Sequence, residues 1–126
     1  MRELTERFTS ALSELHADST ADALVALFTE DATLSKLGDQ HEAHGPEGAR
    51  TFWQEYRSVF SDVDVTFTHT TADEHTVALE WTSAGSLAGG GRRISYAGVS
   101  LLEGDGELIS GFRTYYDSAA FTGEPG

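Results

Sequence analysis

The residues best suited to proton chemistry in this chain recur at every second position late in the sequence: Arg113, Tyr115 and Asp117. On an extended segment that spacing shares one face, here Ile109, Gly111, Arg113, Tyr115 and Asp117, and leaves Leu108, Ser110, Phe112, Thr114 and Tyr116 on the other. With the first face turned inward, desolvation raises the pKa of the Asp117 carboxyl group while the Arg113 guanidinium lowers it. That balance suits proton transfer near neutral pH. The plainer alternatives are a structural Arg–Asp pair, or Asp117 capping a final turn through Ser118 and Ala119. His69 ends a second alternating face, Val63, Val65, Phe67 and His69, where a neutral imidazole can relay a proton. Its plainer alternative is a partly exposed histidine at a strand end.

Trp53, Tyr56, Phe60, Phe67, Trp81 and Tyr96 form an aromatic set. Ordinary packing accounts for most of it, and the remainder would wall a cavity for a flat polycyclic or terpenoid ligand sooner than a sugar or a phosphate. Tyr56, Tyr96 and Tyr115 could hold a carbonyl or enolate oxygen. Other chemistries lack their residues. The chain has no cysteine, which excludes disulfides, thiolate nucleophiles and Cys-type zinc sites. His41 and His44 fall on opposite faces of an extended piece, and Glu42 between them does not make a zinc-hydrolase motif, so no metal and no cofactor are expected. Gly89-Gly90-Gly91-Arg92-Arg93 precedes a strand and lacks the spacing of a phosphate cradle.

The charge balance narrows the partners. Eight Lys and Arg stand against 21 Asp and Glu, a formal charge of −13 with no basic face. Nucleic acid and anionic membrane are excluded as partners, and an apolar small molecule is expected. At 126 residues, 39% hydrophobic and with two prolines, residues 1–126 read as a single globular domain. The opening Met1-Arg2-Glu3-Leu4 lacks the apolar run of a secretory signal and no stretch approaches the ~20 apolar residues of a membrane span, so a soluble cytoplasmic protein is the expectation.

The elements that must position these residues follow from periodicity. Leu4, Phe8, Leu12 and Leu15 make the buried stripe of a first helix. Ser19-Thr20-Ala21-Asp22 reads as the capped start of a short second helix burying Leu24, Leu27 and Phe28. A strand over Ala32 to Leu37 turns at Gly38-Asp39 into a second extended piece, His41 to His44. Gly45-Pro46-Glu47 then opens a third helix carrying Phe52, Trp53, Tyr56, Val59 and Phe60. Four strands follow: Asp62 to His69, Thr76 to Leu87, Arg92 to Glu103 and Glu107 to Asp117. The order predicts an α+β fold, a curled antiparallel sheet with three helices on its concave face.

This layout, with Leu27-Phe28-Thr29-Glu30-Asp31-Ala32-Thr33, Gly45-Pro46-Glu47-Gly48, Leu79-Glu80-Trp81 and Phe112-Arg113-Thr114-Tyr115-Tyr116-Asp117, resembles the SnoaL-like polyketide cyclase group of the nuclear transport factor 2-like (NTF2-like) superfamily. The resemblance implies a cone-shaped barrel of the NTF2-like, cystatin-like kind, usually a homodimer, whose open end admits an apolar ligand. It implies cofactor-free acid/base chemistry of cyclase, isomerase, dehydratase or epoxide-hydrolase type, with Asp117 where the cyclases carry their general acid/base. Where ketosteroid isomerases carry their catalytic acid the chain has Lys36, and where they carry a tyrosine in the first helix it has Phe8. Members without chemistry also exist, so the alternative is a hydrophobic-ligand-binding or dimeric accessory protein.

Overall fold

The structure, a computed structural model, describes residues 1–38 and 41–122. Helix α1, Arg2–Asp18, buries Leu4, Phe8, Ala11, Leu12 and Leu15, the stripe expected from their spacing. It ends in a left-handed Ser19, whose backbone N–H bonds the Leu15 carbonyl. Ser19 is therefore the C-terminal cap of α1 and does not open α2. That second helix is a single turn, Asp22–Val25, with Ala21 at its N-cap and no side-chain cap bond. Strand β1, Phe28–Lys36, begins four residues earlier than the sequence pattern indicates. Leu27 and Phe28 are buried as expected, but Phe28 is buried from a strand.

Strand β2, Ala43–His44, leads into α3, Gly45–Ser58, which has proline in its first turn and Glu47 there to complement the helix dipole. The turn read at Gly38-Asp39 lies partly outside the described residues. Strands β3 (Phe60–Ala72), β4 (Thr76–Leu87), β5 (Arg93–Gly104) and β6 (Ile109–Tyr116) form the meander, and a 3₁₀ turn, Ser118–Phe121, follows. The sheet order is β2-β1-β6-β5-β4-β3. Neighbours are antiparallel except β1 and β6, which run parallel, so the sheet is mixed where the sequence led us to expect an antiparallel one. No described helix is long and apolar enough to cross a membrane.

The inner face of the sheet explains why the interior is solid at one end and hollow at the other. Successive inward pairs across β4 and β5 are Val77–Leu102, Leu79–Ser100, Trp81–Gly98, Ser83–Tyr96 and Gly85–Ile94. Val77, Leu79 and Leu102 join Ile109, Phe112 and the apolar face of α1 in one core. Beyond them Ser100, Gly98 and Ser83 carry too little volume to fill the space under α3, and close packing gives way to a cavity.

Candidate functional site

The cavity holds about 400 Å3, within the range of small-molecule sites. Trp53 and Tyr56 reach it from α3, Phe60 and Phe67 from β3, Trp81 from β4 and Tyr96 from β5. These are six of the seven residues whose type pointed to ligand contact. Tyr115, the seventh, does not line it; it stands on the outer face of β6 and is 38% exposed.

The proton-transfer candidates are also elsewhere, and backbone geometry gives the reason. A bulge interrupts the β5–β6 ladder: Gly104 pairs with Ile109 but Glu103 pairs with Gly111, so one residue of β6 is skipped. Ile109 points inward, and past the bulge Phe112, Thr114 and Tyr116 take over the inner face. Arg113, expected inside, pairs with the Glu103 carboxylate on the outer face. Asp117 is exposed, and its carboxylate accepts from Ala119 N at 3.1 Å, capping the final turn. A second bulge reverses β3, where Phe67 pairs with Trp81 but His69 with Glu80, so His69 shares the outer face of Glu80 and is exposed. None of Asp117, Arg113 and His69 lines the cavity.

The polar groups that do line it were mostly unmarked by type. Trp81 Nε1 donates to Ser100 Oγ at 2.9 Å, and Ser100 Oγ lies 2.9 Å from Thr114 Oγ1. Thr114 in turn reaches the Val99 carbonyl, so this chain satisfies itself and pins the indole as a wall. Tyr56 differs. Its hydroxyl lies 2.8 Å from His16 Nε2, and His16 lines a separate groove of about 430 Å3 between α1 and β3. His16 continues the four-residue row Leu4, Phe8, Leu12, a signal the sequence held at the end of an apolar stripe.

Electrostatics fix the protonation of this pair. Burial, assisted by the Arg57 guanidinium and opposed by Asp64, lowers the His16 pKa to about 4, so the imidazole is neutral at pH 7. Burial, and then the neighbouring Tyr96, pushes the Tyr56 phenol well above its ordinary range, so it remains a hydrogen-bond donor. Arg57 itself is locked. Its nitrogens donate to the carbonyls of Leu15 at 3.2 Å, His16 at 3.2 Å and Phe60 at 2.8 Å, tying the end of α1 to α3 and holding His16 against Tyr56. Over the outer end of the cavity Phe121 packs against Phe60, Tyr96 and Tyr116, with ring centroids 6.0, 4.8 and 5.8 Å away.

The SnoaL-like domain matches residues 5–112. The chain belongs to the SnoaL-like domain family. This SnoaL-like chain also superimposes on solved structures of its fold. An NTF2-like protein from Anabaena variabilis is 18% identical, with a TM-score of 0.84 over 94% of this chain and 90% of that one. The epoxide hydrolase/cyclase-like enzyme SalBIII, of pyran ring formation in salinomycin, is 18% identical, with a TM-score of 0.77 over 94% of both chains. An LEH-like epoxide hydrolase from M. tuberculosis is 21% identical, with a TM-score of 0.72 over 95% and 84%. These likenesses show the NTF2-like fold of this SnoaL-like chain. Comparison with curated protein sequences finds no match.

Proposed function

We propose that this SnoaL-like protein is a cofactor-independent enzyme that takes an apolar, oxygen-bearing metabolite into its aromatic cavity and acts on that oxygen through Tyr56 and His16. The observation that carries the reading is the Tyr56–His16 hydrogen bond in the cavity wall. A buried phenol that resists ionisation is a donor aimed at an oxygen gaining negative charge, as in enolate formation or epoxide opening. Tyr56 donates a hydrogen bond to that oxygen as charge develops on it, and the neutral imidazole of His16, 2.8 Å from the hydroxyl, holds the phenol in place. The aromatic walls position the substrate and exclude water.

The test is turnover of a panel of aryl epoxides and aryl 1,3-diketones. The expected result is conversion of one class, slowed by about 10²- to 10³-fold in Tyr56→Phe with KM changed less than about threefold. Wild-type turnover by Tyr56→Phe would overturn the assignment.

A second reading, a hydrophobic-ligand-binding or dimeric accessory protein, draws support from the position of Asp117, Arg113 and His69 outside the cavity. Among the described residues the one carboxylate lining the cavity is Glu55. Saturable binding of panel members with no product from any of them would favour this second reading.

A further inference from the structure

In a chain with 21 carboxylate side chains every cation has a choice of partners, and seven of the eight have taken one. Arg2, Arg50, Arg93 and Arg113 form ion pairs with Glu6, Asp22, Asp62 and Glu103. Arg7 donates to the Glu107 carbonyl, Arg57 to three carbonyls across α1 and α3, and Arg92 to those of Ala120 and Phe121. The eighth is Lys36, the single lysine of the chain, which makes no ion pair or side-chain hydrogen bond among the described residues.

Its position is specific. Lys36 is the last residue of β1, in register with Thr114 of β6, on the face where Leu34 is in register with Phe112. Lys36, Phe112 and Thr114 all line the cavity, and Lys36 is exposed, so its stem lies along the wall with the ammonium at the rim. Tyr116, the next inward residue of β6 after Thr114, lines the same wall, and its hydroxyl likewise has no partner among the described residues. Two donors without protein partners among the described residues thus stand on the strand side of the cavity. From α3 Glu55 also lines the cavity, and its carboxylate is likewise unpaired among the described residues. A negative group on the occupant is drawn to the strand side and repelled from the helix side.

We infer that the occupant of the cavity is an apolar ring-bearing molecule that presents one anionic oxygen group, a carboxylate or an enolate, to Lys36 at the rim. The inference rests on the reading of the cavity as a ligand site and adds the substrate class. It gives Lys36 a counter-ion that the described residues do not supply, in a surface of net charge −13 that would otherwise turn anions away.

The experiment is calorimetric titration at low salt and neutral pH with 2-naphthoate and with its neutral analogue 2-acetylnaphthalene. Wild-type protein is expected to bind the carboxylate about tenfold more tightly than the ketone, the size of one charge-assisted contact. Lys36→Met should remove that preference while holding the ketone within about twofold, and Glu55→Gln should tighten the carboxylate about two- to fivefold. Circular dichroism confirms that both variants fold. As a second measurement, reductive ¹³C-methylation marks this one lysine side chain, whose resonance should move on titration with 2-naphthoate at the calorimetric Kd. Ligand binding without a carboxylate preference, a preference that survives Lys36→Met, or an unmoved Lys36 resonance would each overturn the inference and leave the cavity reading standing. Binding of neither probe by wild type would overturn the cavity reading as well.

Discussion

At Gly98 a single added carbon would lie 2.6 Å from Trp81 Cζ2 and 2.5 Å from the Tyr115 carbonyl, distances that real side chains do not show. Glycine there lets the indole lie against β5, where Ser100 holds its nitrogen. Gly98→Ala should therefore cost about 1–3 kcal/mol in urea unfolding, because neither the ladder nor the anchored ring can give way cheaply. Asp117 makes a different kind of prediction. Its cap on Ala119 needs only an acceptor oxygen, which Asn retains. Asp117→Asn should leave turnover within about twofold of wild type, whereas loss of a general acid would cost about 10² or more. Asp117→Ala should fray the turn that carries Phe121, seen as faster amide exchange there. His16 gives the chain an acid-sensitive contribution to stability. Its folded pKa of about 4 lies below the 6.5 of the free side chain, so as pH falls the unfolded chain takes up the proton first. The contribution is complete above about pH 6.5 and is lost between there and about pH 4. Because the ring is partly open to the groove, the loss should be about 1–2 kcal/mol, less than the full shift would give. Urea midpoints at steps from about pH 7.5 to pH 4.5 should fall more steeply in wild type than in His16→Gln.

The elements show what periodicity reveals and what hides it. The helix stripe of α1, the proline start of α3 and the four meander strands are written in spacings of three, four and two, and the structure follows them. The aromatic walls were legible too, since large rings in a chain this short have few other places to go. The faces of β3 and β6 were not. The ladders shift between Phe60 and Asp62 and again between Phe67 and His69 in β3, and between Ile109 and Gly111 in β6, and a one-residue insertion sends every later side chain to the opposite face. That shift exchanged Arg113, Tyr115 and Asp117 for Thr114 and Tyr116 as cavity residues. Neither bulge has a sequence signature, because Thr68 and Ser110 are ordinary strand residues. Lys36 was legible as a residue but not as part of the cavity wall, since its placement there depends on a parallel β1–β6 pairing that local pattern does not encode. The β3 bulge is open to test by deletion of Thr68. Removing it makes Phe67 and His69 adjacent in a regular ladder, still opposite Trp81 and Glu80, so Phe67 stays inward and His69 stays on the outer face. A protein with Thr68 deleted should therefore unfold in urea within about 1 kcal/mol of wild type, and a further His69→Val change should alter that by no more than about 0.5 kcal/mol because the side chain stays exposed, whereas a larger loss would mean that the strand slips its register.

For the molecule as a whole the dominant physical fact is its excess of negative charge over one small surface. Thirteen uncompensated charges at low ionic strength repel one another across distances shorter than the Debye length, about 30 Å at 0.01 M, and unfolding relieves that repulsion by spreading the chain. Raising salt to about 0.15 M shortens the screening length to about 8 Å and removes most of the long-range part. The ion pairs Arg2–Glu6, Arg50–Asp22 and Arg93–Asp62 are weakened by the same screening, but they are exposed and each contributes little. Self-repulsion therefore wins the comparison, and added sodium chloride should stabilise the protein. A gain of about 1 kcal/mol corresponds to a Tm rise of about 4 °C for a chain of this size. Thermal unfolding followed by circular dichroism from about 0.01 to 0.15 M salt at pH 7.5 measures it, with sucrose of equal osmolality as the control for solvent exclusion. A flat or falling Tm would mean that the ion pairs contribute more than their exposure implies. The same field acts on an anionic ligand approaching the cavity. Its association rate should rise with salt as the repulsion of the whole surface is screened, opposite to the trend for a ligand steered in by a basic face.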